Sequence, residues 1–168
     1  MKNTTNKQMY LVMVIALLSA CAATAQTGGF GIGGGDIGSS PGYGQYLGQY
    51  SANRFDSDSI SNPYGAGSRF KSDGVNNPYS RYGSPYSSTS VTNPYAANAP
   101  RLYDSQGNYR GRMSANRYDS DSISNPYGRY GSRYSSESIN NPYGAGSRYH
   151  MDSPHNPYGR GLYIFGQE

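Results

Sequence analysis

Apolar residues crowd one end of this chain and are thin everywhere else. From Met9 to Ala20 they run almost unbroken, with Lys2 and Lys7 ahead of them. A basic start and a short apolar run predict an N-terminal signal helix. At twelve residues the run is too short for a comfortable membrane span. Past residue 25, Leu, Ile, Val and Phe together number 15, about a tenth of what remains. That is below the roughly one-fifth that marks an ordinary core. Pro and Gly punctuate the chain every few residues, and no 3.6-residue apolar period survives between them, so no helix is predicted there.

The remaining apolar positions follow a recurring phrase. Its clearest copy is Arg117-Tyr118-Asp119-Ser120-Asp121-Ser122-Ile123-Ser124-Asn125-Pro126-Tyr127-Gly128. The Asn of each Asn-Pro-Tyr stands at Asn62, Asn77, Asn93, Asn125, Asn141 and Asn156, with steps of 15, 16, 32, 16 and 15. Asn62 maps to Asn125, and Asn93 to Asn156, both by 63 residues, which reads as a duplicated three-repeat unit. Asn-Pro-Tyr-Gly suits a type I β-turn, with Asn bonding back to the backbone, Pro at a preset φ, and Gly where φ > 0 is wanted. Five of the six copies add one β-branched anchor, at Ile60, Val75, Val91, Ile123 or Ile139, and every copy has an earlier aromatic. No copy has enough apolar surface to fold alone, so the copies must shelter one another. With 18 tyrosines past residue 25, a thin, Tyr-dominated, polar-rich interior is expected.

Four short segments read as strands. Arg101–Asp104 and Tyr109–Ser114 flank the turn-forming Ser105-Gln106-Gly107-Asn108 and predict a β-hairpin, with Tyr109 and Met113 on one face. Gln45–Ser51 resembles the second hairpin strand, and Leu162–Phe165 the first. Pairing of Leu162–Phe165 with Tyr46–Tyr50 would close the molecule with pseudo-twofold symmetry and protect both edges. The alternative is a frayed apolar tail. The expected fold is all-β or irregular repeat architecture in two duplicated, Tyr-rich halves, with partial disorder as the alternative. The expected organisation is a signal peptide at 1–20 (alternatively 1–25), a Gly/Ser-rich tether at 21–44, and halves at 45–104 and 105–168.

Two processing sites compete behind the signal helix. Ala23-Thr24-Ala25 suits ordinary signal peptidase, whereas Leu18-Ser19-Ala20-Cys21 resembles the bacterial lipobox. The resemblance implies lipidation at Cys21, the one cysteine in the chain, and hence a membrane partner. Ala22 in place of Asp then implies the outer membrane, with a soluble periplasmic or secreted form as the alternative. No intrachain disulfide can form.

Charge changes the picture little. Past residue 25 there are 12 basic and 10 acidic residues, a net of +2, and eleven of the twelve cations are Arg. Seven directly precede an aromatic: Arg54, Arg69, Arg81, Arg117, Arg129, Arg133 and Arg148. In an extended strand such neighbours face opposite ways, so each copy would bury one and expose the other. Exposed together, Arg and Tyr make platforms for sugar rings and anionic groups. Arg54, Arg69, Arg117, Arg133, Arg148, Tyr118, Tyr134 and Tyr149 form the candidate binding surface. The competing use is cation–π and hydrogen bonding within the repeats. Export and the small net charge argue against nucleic acid.

Other chemistry is sparse. Asp56-Ser57-Asp58-Ser59 and Asp119-Ser120-Asp121-Ser122 offer alternate oxygens that would suit Ca²⁺, but lack the Gly and bidentate Glu of an EF-hand. No cofactor is expected, Ca²⁺ being the alternative. His150 and His155 stand at variable repeat positions without Cys or further ligands. The Gly-rich stretch from Gly28 to Gly35 lacks the Lys-Ser/Thr of a phosphate loop. No nucleophile–base constellation appears, so an enzyme is not expected.

The phrases Tyr-Asp-Ser-Gln-Gly-Asn-Tyr-Arg-Gly, Asn-Pro-Tyr-Gly-Arg-Tyr-Gly-Ser and Ser-Ile-Asn-Asn-Pro-Tyr-Gly resemble tandem repeats of exported bacterial proteins, over residues 43–166. That likeness brings no activity with it. The expectation is a non-enzymatic cell-envelope lipoprotein of structural or interaction type. The alternative is a module binding envelope polysaccharide through exposed Tyr and Arg, or one binding another envelope protein.

Overall fold

The computed structural model describes residues 43–167. The signal helix, Cys21 and all but the end of the tether lie outside them. Among the described residues there is no helix, and none therefore long and apolar enough to cross a membrane. One four-stranded antiparallel sheet is present, formed by β1 (Gln45–Tyr50), β2 (Arg101–Tyr103), β3 (Tyr109–Arg112) and β4 (Leu162–Gly166) in the order β1-β4-β2-β3.

The expected pairing of the C-terminal segment with the first strand is present: Tyr46 faces Phe165 and Tyr50 faces Leu162. The hairpin forms as well, with Tyr103 opposite Tyr109. The two Leu-Tyr strands then pair with each other at the centre, Leu102 opposite Ile164. Residues 63 apart behave alike. Gln49 bridges Ser59 as Arg112 bridges Ser122. Gly48 (φ 129°) and Gly111 (φ 99°) each sit where the register shifts by one residue. A bulge of this kind wants a residue that tolerates positive φ.

These bulges alter which side chains share a face. Strict alternation places Tyr109 and Met113 together; the structure separates them. Tyr109 packs in an aromatic cluster with Tyr43, Tyr46, Tyr103, Tyr163 and Phe165, while Met113 packs against an aliphatic one. The extra residue at Gly111 reverses the alternation. The aliphatic cluster joins Leu47, Leu102, Leu162 and Ile164 of the sheet to Ile60, Val75, Tyr82 and Ile139 of the repeats, with Val91 and Ile123 at its edge. Leu102 and Ile164 have no exposed surface, and each such side chain contributes roughly 1.5–3 kcal/mol on burial. The β-branched anchors do shelter one another.

The phenol rings of the repeats do not. Twelve aromatic side chains, two from each copy, are 90–97% exposed. The interior is polar-rich, but it is not Tyr-dominated: Ser51, Ser59, Ser90, Ser122, Ser138 and Ser153 lie at 0–1% exposure. The reason is a period of three inside the longer period. Consecutive β-turns share their end residues, so that the N–H of Asn62 donates to the Ser59 carbonyl, Gly65 to Asn62 and Ser68 to Gly65. The 15-residue step is five such turns. The 16-residue step contains one four-residue turn, closed by Ser84 N–H to the Ser80 carbonyl and by Ser132 N–H to Gly128. At most turns the starting residue is buried or half-buried, and the next two are exposed except where an anchor such as Ile60, Val75 or Ile139 turns into the core.

Most turn-starting residues are Ser, Asn or Asp, and their side chains accept from the N–H two residues on. Ser59 accepts from Ser61, Asp56 from Asp58, Asp119 from Asp121 and Ser122 from Ser124. His150 does the same with Nδ1 for the Asp152 N–H, at 3.3 Å. The Asn of every Asn-Pro-Tyr does more. Its Oδ1 accepts from the Tyr N–H, and its Nδ2 donates to the carbonyl six residues earlier: Asn62 to Asp56, Asn77 to Lys71, Asn93 to Ser87, Asn125 to Asp119, Asn141 to Ser135 and Asn156 to His150, all within 2.8–3.1 Å. The type I reading of this turn agrees with the bond from residue four to the Asn carbonyl. Its Gly is not there for positive φ as expected, since Gly65, Gly128, Gly144 and Gly159 lack it. A Cβ at Gly128, Gly144 or Gly159 would stand 2.5–2.8 Å from a carbonyl eight residues earlier, so close approach requires the Gly.

The residue before that Asn joins successive copies. Asn76 Nδ2 donates to the carbonyls of Ile60 and Gly67, and Asn140 Nδ2 to those of Ile123 and Gly131. The Thr92 hydroxyl donates to Gly83, at 2.8 Å. At the hairpin, Asp104 accepts from the Gln106 and Asn108 N–H groups and from the Asn108 and Arg110 side chains. Burial alone would raise its carboxyl, but these donors hold it below the usual value.

Replacing Asn141 with Ala removes both arms of one clamp and orphans a carbonyl and an N–H. The expected cost is about 2–4 kcal/mol, since each buried unsatisfied group costs ~1–3 kcal/mol. Asn141→Asp keeps the acceptor and should lose about half as much. Urea denaturation checks this, and an Ala variant within error of the parent would refute the clamp. Alkali gives a second test. Burial raises the phenols of Tyr46, Tyr50 and Tyr163, and pushes Tyr109 up to about 12. The unfolded chain releases such protons from about pH 10. The folded state therefore retains more protons between these values, and stability is expected to fall as pH rises from about 10. Thermal melts showing no loss over that range would contradict the buried cluster.

Candidate aromatic and arginine surface

Where an Arg-aromatic pair forms the tip of a three-step turn, both residues are exposed, because positions two and three of a β-turn do not alternate between two faces as strand neighbours do. The expectation that Arg and Tyr neighbours face opposite ways therefore fails for Arg54-Phe55, Arg69-Phe70, Arg117-Tyr118, Arg133-Tyr134 and Arg148-Tyr149. It holds only at the four-residue turns. There Arg81 and Arg129 are exposed while Tyr82 and Tyr130 are buried, each guanidinium 5.6 Å from its neighbour's ring centroid. Tyr82 packs on Gly166, and Tyr130 packs on Gly111 and edge-on to Tyr109. These two pairs carry the cation–π use that competed with binding.

All eight candidate residues lie on the surface. Arg54, Arg69, Arg117, Arg133 and Arg148 are exposed, and Tyr118, Tyr134 and Tyr149 are 94–96% exposed. Among the described residues the ion pairs are Arg110–Asp104, Arg112–Asp119 and Arg129–Glu137, so none of these five guanidinium groups is paired. Arg129 and Glu137 hold each other charged: the Arg129 hydrogen bond lowers the Glu137 carboxyl, and the Glu137 bond raises Arg129.

The tip residues of successive copies border two open grooves. The first, of about 920 Å³, is flanked by Pro63, Tyr64, Arg69, Phe70 and Pro78, with Asn76 on its floor. The second, of about 850 Å³, is flanked by Pro126, Tyr127, Arg133, Tyr134 and Pro142, with Asn140 on its floor. Arg148 and His155 also line the second. The candidate list thus falls into parts. Arg69 belongs to the first groove; Arg133, Tyr134 and Arg148 belong to the second; Arg117 borders a smaller depression beside Ile123 and Ile139. Arg54, Tyr118 and Tyr149 line neither groove. Sequence reasoning missed Tyr64, Tyr127 and the prolines as wall residues. The signal was present, since Pro-Tyr occupies the tip of the same turn in every copy.

Chemically the surface offers flat π faces and unpaired planar cations. Among the described residues no cluster of three His, Cys, Asp or Glu side chains is placed to hold a metal ion. Asp56 and Asp119, half of the proposed Ca²⁺ ligands, each commit an oxygen to a backbone N–H. Because the exposed rings bury nothing, Tyr118→Ala, Tyr134→Ala and Tyr149→Ala are each expected to change stability by less than about 0.5 kcal/mol. Urea denaturation of each variant checks this, and a loss above about 1 kcal/mol would assign the rings a folding role instead. No family model matches this chain, and neither a curated protein nor a solved structure is similar to it.

Proposed function

We propose that this is a non-enzymatic, exported protein of the bacterial cell envelope, built as two copies of a three-repeat unit and anchored by a lipid on Cys21, whose work is to bind. One observation carries the binding role. Twelve aromatic rings stand almost fully exposed, and each ring's own backbone N–H is tied to the side chain two residues before it. Exposed apolar surface on this scale marks an interaction site. Export and anchoring rest on the Lys2 to Cys21 pattern, and put the partner in the envelope.

The grooves favour an envelope polysaccharide over another envelope protein as that partner. Rings with unpaired Arg between them suit the C–H faces and oxygens of sugars. On insoluble envelope polysaccharide the parent is expected to be retained, and the Tyr64→Ala, Phe70→Ala, Tyr127→Ala, Tyr134→Ala variant, which strips the groove walls, to elute at least several-fold earlier. Parent protein that passes straight through at low salt would exclude this partner. Cys21→Ala is expected to release the protein from the membrane fraction; unchanged membrane association would refute the anchor.

A further inference from the structure

The two grooves occupy corresponding places but differ in charge. Pro63, Tyr64 and Arg69 of the first answer to Pro126, Tyr127 and Arg133 of the second, 63 or 64 residues on. Among the positions that differ, two add a basic group to the second groove. Arg148 stands where the first half has Pro85, and His155 where it has Thr92. The exchange at Thr92 matters structurally as well as electrically. The Thr92 hydroxyl is committed to the Gly83 carbonyl, whereas the His155 side chain makes no such bond among the described residues and lines the groove.

The second groove therefore has two unpaired guanidinium groups and an imidazole on its walls, and no carboxylate among the described residues lines it. Glu137, from the same copy, is held by Arg129. The first groove has Arg69 as its single cation. Tyr127 and Tyr134 add two exposed ring faces beside the second groove's cations.

We infer that the second groove selects acidic polysaccharide, binding sugar residues that bear a carboxylate. This rests on the polysaccharide-binding reading and names its ligand class. The pyranose ring stacks on Tyr127 or Tyr134, and its carboxylate takes a two-pronged hydrogen bond from Arg133 or Arg148. The geometry of the guanidinium fork matches a carboxylate, which a neutral sugar does not offer. The first groove, with Arg69 alone, favours acidic sugars less than the second does.

Affinity electrophoresis of the protein through gels holding polygalacturonate, or its neutral methyl ester, tests this. The parent is expected to be retarded about tenfold more strongly by the free acid, as charge-assisted bonds are roughly twice as strong as neutral ones. Arg133→Ala with Arg148→Ala should reduce retardation by the acid to that by the ester, and Arg69→Ala should not. Equal retardation of the parent by both polymers overturns selection by charge and leaves polysaccharide binding standing. No retardation by either removes the polysaccharide reading as well. Equal retardation by a single-stranded oligonucleotide of matched charge overturns the sugar assignment in favour of polyanions in general. Because all three substituted residues are exposed, unchanged thermal melts are expected to accompany each result.

Discussion

The fold depends on satisfying the backbone without a ladder. Its four strands hold 6, 3, 4 and 5 residues, so most buried N–H and C=O groups cannot pair strand to strand. Each such group left unpaired would cost as much as a lost hydrogen bond. The chain solves this every third residue. A turn-starting Ser, Asn or Asp gives its carbonyl to the N–H three on and, at most turns, its side-chain oxygen to the N–H two on. Buried serines, which would destabilise an ordinary core, here replace the partners that a sheet would supply. Asn adds a donor, and is therefore the residue at the one turn of each copy that must also reach back six residues.

This explains why the 15-residue period was legible and the three-residue period was not. Asn-Pro-Tyr announces itself by identity. The turn-starting position does not, because its requirement is met by Ser, Asn, Asp or His, and elsewhere by Gly or Lys with the backbone alone. A position defined by an acceptor atom leaves no fixed letter. The closure of Tyr46–Tyr50 on Leu162–Phe165 could be read because both segments have a recognisable copy in the hairpin. The face of Met113 could not, because one bulged Gly inverts everything after it and Gly recurs throughout the chain. The Arg-Tyr pairs hide their geometry for a related reason: the dipeptide suits a strand as well as a turn tip, and here most stand at turn tips. Only the one-residue insertion at Arg81-Tyr82-Gly83 and Arg129-Tyr130-Gly131 buries the ring. The steps of 16 had marked that place without saying what it held.

The candidate surface was legible as composition and not as geometry. Arg69, Arg133, Tyr134 and Arg148 line grooves because tips of successive copies stand side by side. Tyr118 and Tyr149 have the same local sequence and equal exposure, yet border neither groove. Which tips become neighbours depends on the Asn76 and Asn140 bonds between copies, and nothing in an isolated copy shows them.

Exposure of the rings bears most on function, and it follows from the same turns. Nothing in the fold requires an aromatic at the third position of a turn. The Ser59 and Ser122 turns carry Ser61 and Ser124 there, with identical backbone bonds. Ten tyrosines and two phenylalanines at equivalent tips therefore add apolar surface that folding does not use and that solvent disfavours. Their backbone N–H groups are those tied to the turn-starting side chains, and six are tied to the doubly bonded Asn. The ring bearers are thus attached at the firmest points of each copy. A backbone already held in place has less entropy to lose when a partner covers the ring it bears, and aromatic side chains have few rotatable bonds to order. Regularly spaced, unburied rings on a tied backbone are what a surface would need to meet a regular, extended partner, and they have no counterpart among the requirements of stability.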